Sequence, residues 1–444
     1  MLRSKHSLSI ISQAFAGNAL LSVMWLLFGY TLCFGPSING LIGAPSHLLW
    51  IDVRYDQCGP HAKNIPAALF ALFQMMFASI TPLLMTGSFA ERLRWDCFLA
   101  FTVLWELLVY YPVCHWIWGG GFLGAWGVKD FAGGIVIHVS AGVGALVVAL
   151  YIGRRKDFHL YHGEFPPSNL PLAGIGTALL WMGWFGFNGG SALQAGNIAV
   201  SAVVSTHIAA CFSASVWLIL SMIYHRPAAT GIFNGVLAGL AGITAASGWI
   251  STQATIFIGI TCGFVSYYGI RLSKARLHVD DALDVHMIHG ATGAVGAVLL
   301  GVFGRRESEG VSSFEVHFHT SWTQFGMQVV GVFIVGLYAG VVTWLLLRIL
   351  ENQFGKLTHD EERQQAGLDW VDHGEVAYHR LAVLPPGKQG LAEEYSTISE
   401  DLQLPMEDEY FRKNAAIMQE ESGTESDKLL NLARQGKGRV GYGL

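Results

Sequence analysis

The chain has 444 residues, of which 52% are hydrophobic and 13% charged, with a formal net charge of −5. Soluble domains carry about 25% charged residues. This composition, with a mean hydropathy of +0.42, therefore argues against a soluble enzyme and predicts an all-α polytopic membrane protein. No nucleic-acid partner, metal or cofactor is expected. The start, MLRSKH, runs directly into a full-length apolar stretch, so no cleavable signal peptide is expected.

About 20 apolar residues span a bilayer, and tilted helices run longer. Ten spans are predicted, near 9–34, 66–90, 96–118, 131–153, 171–190, 197–223, 229–246, 252–272, 284–303 and 322–350. Polar loops are expected at 35–65 and 304–321. The 53 glycines suit close helix approach, as in GVLAG at 235–239, and the 14 tryptophans suit interfacial anchoring. The six cysteines show no CxxC spacing and read as packing residues, apart from Cys58 in a loop.

Orientation follows from lysine and arginine. With the N-terminus inside, the inner loops hold Arg3, Lys5, Arg92, Arg94, Arg154, Arg155, Lys156, Arg226, Arg271, Lys274 and Arg276. The outer loops hold Arg54, Lys63, Lys129, Arg305 and Arg306. Both termini are then expected in the cytoplasm. The membrane domain is expected over 1–350, a polar, acidic cytoplasmic segment over 351–379, and a polar, disordered extension over 380–444 with a helix near 405–420.

Two histidines stand inside apolar runs. His138 lies in DFAGGIVIHVSAGVG and His289 in DALDVHMIHGATGAVGAV, each a few residues after an aspartate. An imidazole within a membrane is costly and points to a functional site; the bland alternative is a hydrogen bond to a neighbouring helix. Asp130 reads as an N-cap, because a carboxylate satisfies the orphan N–H groups of a helix start. Asp280, Asp281 and Asp284 read the same way for the ninth span.

Aromatic side chains crowd the span ends. Phe73 and Phe77 are four residues apart and share a helix face. Trp118 opens a WGGG run, and Trp184, Phe185 and Phe187 stand in GWFGFNGGSAL with Asn188 and Ser191. Packing and anchoring are the ordinary readings. A cation site is the sharper one, since aromatic faces attract ammonium-type cations by about 0.5–2 kcal/mol.

The segments FQxxF, AERLR, HWIWGGG, DFAGGxVxH, GWFGFNGGS, DDxxDVxxxHG and GLDxxxHGExAY occur in this order from about residue 3 to 379. Together they resemble the ammonium transporter (Amt/Mep/Rh) family. The resemblance implies an inverted-repeat bundle, a homotrimer with one pore per subunit, and transport of ammonium or ammonia without enzymatic turnover. It implies that Phe77, Trp118 and Ser191 recruit ammonium at the outer mouth, and that Phe77 and Phe187 close that mouth. It makes His138 and His289 the pair lining a narrow apolar pore, with Asp130 and Trp184 in support. It also implies a plasma or inner membrane location, net proton or charge movement, and a tail able to meet a PII-type signalling protein.

Some features depart from the family. Its members have eleven spans, and MLRSKHSLS resembles the loop after their first, so Met1 is expected to align with an internal position. The family's first span is therefore expected to be missing, either through a start placed too late or by real truncation. His286 stands where an aromatic is usual, and His207 is a further intramembrane histidine, whereas His115 fits the usual pattern. Other readings are an Amt-like sensor with a signalling tail, a truncated non-transporting homologue, a Rhesus-type gas channel, and a haem protein with axial His138 and His289. Membrane cytochromes usually carry two ligands on one helix, a pairing these spans lack.

Overall fold

The computed structural model describes residues 2–304 and 322–378. The expected extension 380–444, its helix near 405–420 and most of the 304–321 loop lie outside these residues.

Nine helices among the described residues are long and apolar enough to cross a membrane, and a tenth, shorter apolar helix joins them. In chain order they are α1 (Ser4–Phe34), α2 (Ala67–Phe89), α3 (Trp95–Trp126), α4 (Gly134–Ile152), α5 (Leu170–Gly190) and α6 (Asn197–Tyr224), followed by α7 (Ala229–Ile243), α8 (Thr252–Ala275), α9 (His286–Phe303) and α10 (Trp322–Phe354). All ten coincide with predicted spans. The 35–65 loop is more ordered than expected. It holds two antiparallel hairpins, β1 (Ser37–Ile38) with β2 (Ile42–Gly43) and β3 (Cys58–Gly59) with β4 (Ala62–Pro66).

The tryptophans do more than anchor. Trp25 Nε1 donates to Ala71 O at 3.0 Å, Trp105 Nε1 to Thr343 Oγ1 at 2.9 Å, and Trp217 Nε1 to Ser266 Oγ at 2.9 Å. These rings are buried, so each indole N–H needs a partner on a neighbouring helix. The interfacial expectation therefore fails for them.

Helices α4 and α9 run antiparallel at the centre. The chain leaving α4 carries Arg155, whose guanidinium grips Asp280 just before α9, with Nη2 to Oδ1 at 2.7 Å and Nε to Oδ2 at 2.9 Å. This is the arrangement an inverted repeat requires. The crossing is close because it is made of glycine: a Cβ on Gly142 of α4 would sit 2.2 Å from Gly290 Cα of α9. Each of these helices begins with a π turn, Gly134–Val139 and His286–Ala291, and similar turns occur at Trp25–Gly29 and Glu106–Tyr110.

The Arg155–Asp280 pair belongs to a buried ionic cluster at the end of the bundle where α3 and α9 begin. Arg92 Nη1 lies 3.5 Å from Asp280, Arg155 Nη1 lies 3.4 Å from Glu91, and Arg3 Nη2 lies 2.7 Å from Glu91. This corrects the capping expectation: Asp280 binds cations, and Asp284 pairs with Lys274 at 3.0 Å. Asp281 alone caps through its side chain, accepting the His286 N–H at 3.0 Å. Burial pushes the Asp280 carboxyl up, but the Arg92 charge and the Arg155 hydrogen bonds and charge outweigh it and hold it at about 2.

The unfolded value is about 3.9, so the folded carboxyl is depressed. Its stabilisation is complete above about pH 4 and is lost as pH falls through about 2. Detergent unfolding measured from pH 5 downwards should show an acid limb that Asp280→Asn flattens. An unchanged limb in that variant would assign the acid sensitivity elsewhere.

Beyond α10, residues 355–378 fold back on the end of the bundle where α1 and α3 begin, through α11 (Glu361–Ala366) and α12 (Leu368–His373). Asp369 Oδ1 accepts the Ser9 N–H at 2.8 Å, and the Leu368 N–H reaches His6 Nδ1 at 3.2 Å.

Candidate functional site

The site is a file of rings between α2, α3, α4, α5 and α9. At one end Phe73 and Phe77 share a face of α2, with ring centroids 4.7 Å apart. Phe77 meets Trp118 edge-on at 6.0 Å and Phe187 of α5 at 4.4 Å, so the two phenyl rings lie together beside Trp118. Trp118 stands at the break in α3, and its Nε1–H donates to Asp130 O at 2.8 Å. That bond fixes the indole edge and leaves its face available to a cation. Ser191 ends α5, and its hydroxyl donates to Phe187 O at 2.8 Å. Spending that proton on the carbonyl leaves the oxygen as an acceptor.

Asp130 is 4% exposed and accepts four backbone N–H groups, from Gly133, Gly134, Ile135 and Val136, at 2.7–2.9 Å. It is the cap of α4, as expected. Burial pushes its carboxyl up, to about 6, against the lowering effect of those four donors. Its own carbonyl holds the Trp118 indole. One residue thus sets both the start of α4 and the pitch of that indole.

Inside the phenyl pair the rings continue. His138 lies 6.1 Å from Phe187 and 5.4 Å from Trp184, both nearly parallel to it. Trp184 is fixed by Nε1–H donation to Thr244 Oγ1 at 3.0 Å. His138 and His289 meet at a centroid distance of 5.1 Å, with their Nδ1 atoms 3.2 Å apart. One Nδ1 must carry the shared proton and the other accept it. His138 Nε2 is buried and has no protein partner. The pair therefore presents an unpartnered polar nitrogen among aromatic rings.

Other histidines serve different ends. His115 is held by Ser37 Oγ at 2.8 Å and Cys33 O at 2.8 Å. His286 bridges Asp281 Oδ2 at 2.8 Å and Ser273 Oγ at 2.7 Å, facing α8 and away from the histidine pair. Its substitution for an aromatic thus creates a satisfied polar clamp. His207 is exposed on α6, its ring tilted against Trp181 at a centroid distance of 5.3 Å. Among the described residues, no group of three or more His, Cys, Asp or Glu side chains is placed to hold a metal.

The sequence-derived residues Phe77, Trp118, Phe187, Trp184, His138 and His289 thus form one connected file, with Asp130 and Ser191 bonded to its members. The residues not foreseen are Thr244, which fixes Trp184, and Gly142, which lets the α4–α9 crossing close. Neither carries a local signal, since each matters through a residue far along the chain.

A sequence profile of the Ammonium Transporter Family matches residues 1–378. The chain is 55% identical over 399 residues to "Ammonium transporter 1" of Dictyostelium discoideum, covering 90% of this chain and 85% of that one. It is 39% identical over 379 residues to the "Ammonium transporter" of Bacillus subtilis (strain 168), covering 85% and 92%. Among solved structures it superposes on Saccharomyces cerevisiae Mep2 with a TM-score of 0.75 at 30% identity, covering 85% of this chain and 86% of that one. A structure described as "Sensor Amt Protein" matches with a TM-score of 0.75 at 28% identity, over 84% and 91%. With the family profile across its whole membrane part and close relatives matched nearly end to end, this chain belongs to the Ammonium Transporter Family.

Proposed function

We propose that the chain carries ammonium across the membrane by recruiting the cation at Trp118, Phe77 and Ser191, removing its proton, and conducting ammonia past His138 and His289. The observation that carries this reading is the unbroken ring file ending at a buried imidazole pair, with His138 Nε2 unpartnered. A bare ammonium ion loses several kcal/mol or more on entering such a passage, whereas neutral ammonia does not. Potassium cannot shed a proton, so the same step discriminates against it. The imidazole pair can take the proton and pass it between rings, giving net charge movement. The homotrimer and a PII-type partner at the tail belong to this reading through the family resemblance, and the cytoplasmic termini through the lysine and arginine bias of the loops.

Methylammonium uptake in a host lacking its own ammonium transport tests the proposal. Saturable uptake by the parent chain supports it, and no uptake by a correctly inserted chain would turn the reading towards a sensor. Trp118→Leu removes the recruiting face and keeps an apolar filler. Half-saturating ammonium should rise about tenfold, as expected for losing a cation–π contact of roughly 1.4 kcal/mol, with the detergent melting curve little changed. An unfolded variant would make Trp118 chiefly structural.

A further inference from the structure

A cavity of about 430 Å³ opens where α3 begins and α10 ends, lined by Arg94, Lys356, Thr358, His359, Asp360 and Arg363. Its level is set by its neighbours: Arg94 immediately precedes α3, and Lys356 lies two residues beyond the end of α10. Main chain forms its floor, through a bridge between Leu93 and Thr358 and donation of the Arg94 N–H to Leu357 O at 3.0 Å.

The cations around it are unequally committed. Arg94 donates to Phe354 O at 3.1 Å and Lys356 O at 3.2 Å and pairs with Asp96, so its work is to hold the chain. Lys356 is exposed and makes no ion pair among the described residues. Arg363 lies 3.8 Å from Asp360, with both side chains mostly exposed; a pair of that kind holds little. His359 is 7% exposed and bonded through Nε2 to Asp372 at 2.8 Å, while its Nδ1 has no partner. Three cationic side chains thus surround one carboxylate, Lys356 has no ion pair and Arg363 only a loose one, and the site lies just beyond the ends of two helices long enough to span a membrane.

We propose that this cavity binds a phosphate group, and that its occupancy fastens the 355–373 segment to the 91–94 loop. Basic pockets at the inner ends of membrane helices suit phosphorylated headgroups, and lysine meets a phosphate as a point charge. The phosphate has two candidate sources, an anionic lipid headgroup and a soluble phosphoester. The inference uses only the placement of α3 and α10 in the membrane, and is independent of how the pore works.

The test uses the full chain in detergent and native mass spectrometry, with phosphatidylcholine, phosphatidylinositol bisphosphate, inositol trisphosphate and inorganic phosphate as separate probes. Lys356→Glu with Arg363→Glu should weaken binding of the phosphorylated probes about thirtyfold, from two surface cations lost. Lys356→Gln with Arg363→Gln should weaken it less, and guards against a folding defect from charge reversal. Uptake in phosphatidylcholine vesicles should be unchanged in both, since neither residue lies in the ring file. Tight binding of the bisphosphate lipid alone assigns the site to a headgroup; equal binding of the trisphosphate assigns it to a soluble phosphoester. Parental affinity in both double variants, or equal binding of phosphatidylcholine, overturns the proposal.

Discussion

Replacing His138 or His289 by alanine is expected to cost discrimination between ammonium and potassium on the order of a hundredfold, because about 3 kcal/mol of barrier difference is at stake. The Nδ1 atoms of the two rings lie 3.2 Å apart, within hydrogen-bond reach. Removing either ring leaves the survivor without its partner and opens a void that water can enter. A hydrated passage no longer demands that the permeating cation surrender a proton, so potassium passes too. The check is a current measured in proteoliposomes with ammonium and potassium gradients in turn. Undiminished discrimination in both variants would sink the proton-transfer step. Because both histidines are buried among rings, folding is monitored alongside by the detergent melting curve.

Asp130→Ala is expected to lower stability by about 4 kcal/mol or more, since four buried N–H groups would each lose an acceptor at roughly 1–3 kcal/mol apiece. Asp130→Asn should be little better, because its amide turns two donors towards donors. The π turn at Gly134–Val139 carries His138, so the loss reaches the pore and the Trp118 indole together. Transport and melting temperature should therefore fall in parallel. A variant that melts like the parent yet does not transport would give the carboxylate a direct part in handling the substrate.

Much of this site was legible before any coordinates, for identifiable reasons. Phe73 and Phe77 declared a shared face by spacing alone. His138 and His289 declared themselves by being costly where they stand, and Asp130 by preceding an apolar helical run. What stayed hidden depends on partners distant in sequence. Asp280 looks like a helix cap until Arg155, from the other half of the chain, is found against it. The hairpins within 35–65 are too short for a periodic signal, and the docking of Asp369 on Ser9 joins nearly opposite ends of the described chain. Trp25, Trp105 and Trp217 misled because an indole suits both an interface and a buried interhelical bond, and only the neighbouring helix decides between them.

The π turns beneath the two histidines carry one further consequence. A π turn closes its hydrogen bonds one residue later than an α turn, so each amounts to an α-helix with one extra residue spliced into it. Residues past the insertion lag by about 100°, the angle of one α-helical residue, behind an uninterrupted α-helix of the same sequence. His138 and His289 sit within such insertions, and their bearing towards each other is a matter of phase. Deleting a single residue from either turn would leave composition and hydrophobicity almost untouched and produce a smoother, more regular helix. The helix beyond the turn would keep its phase, because the turn absorbs its extra residue locally, but the histidine carried inside the turn would be moved. Length, counted to the residue, is therefore as much a part of this pore's specification as the identity of its histidines.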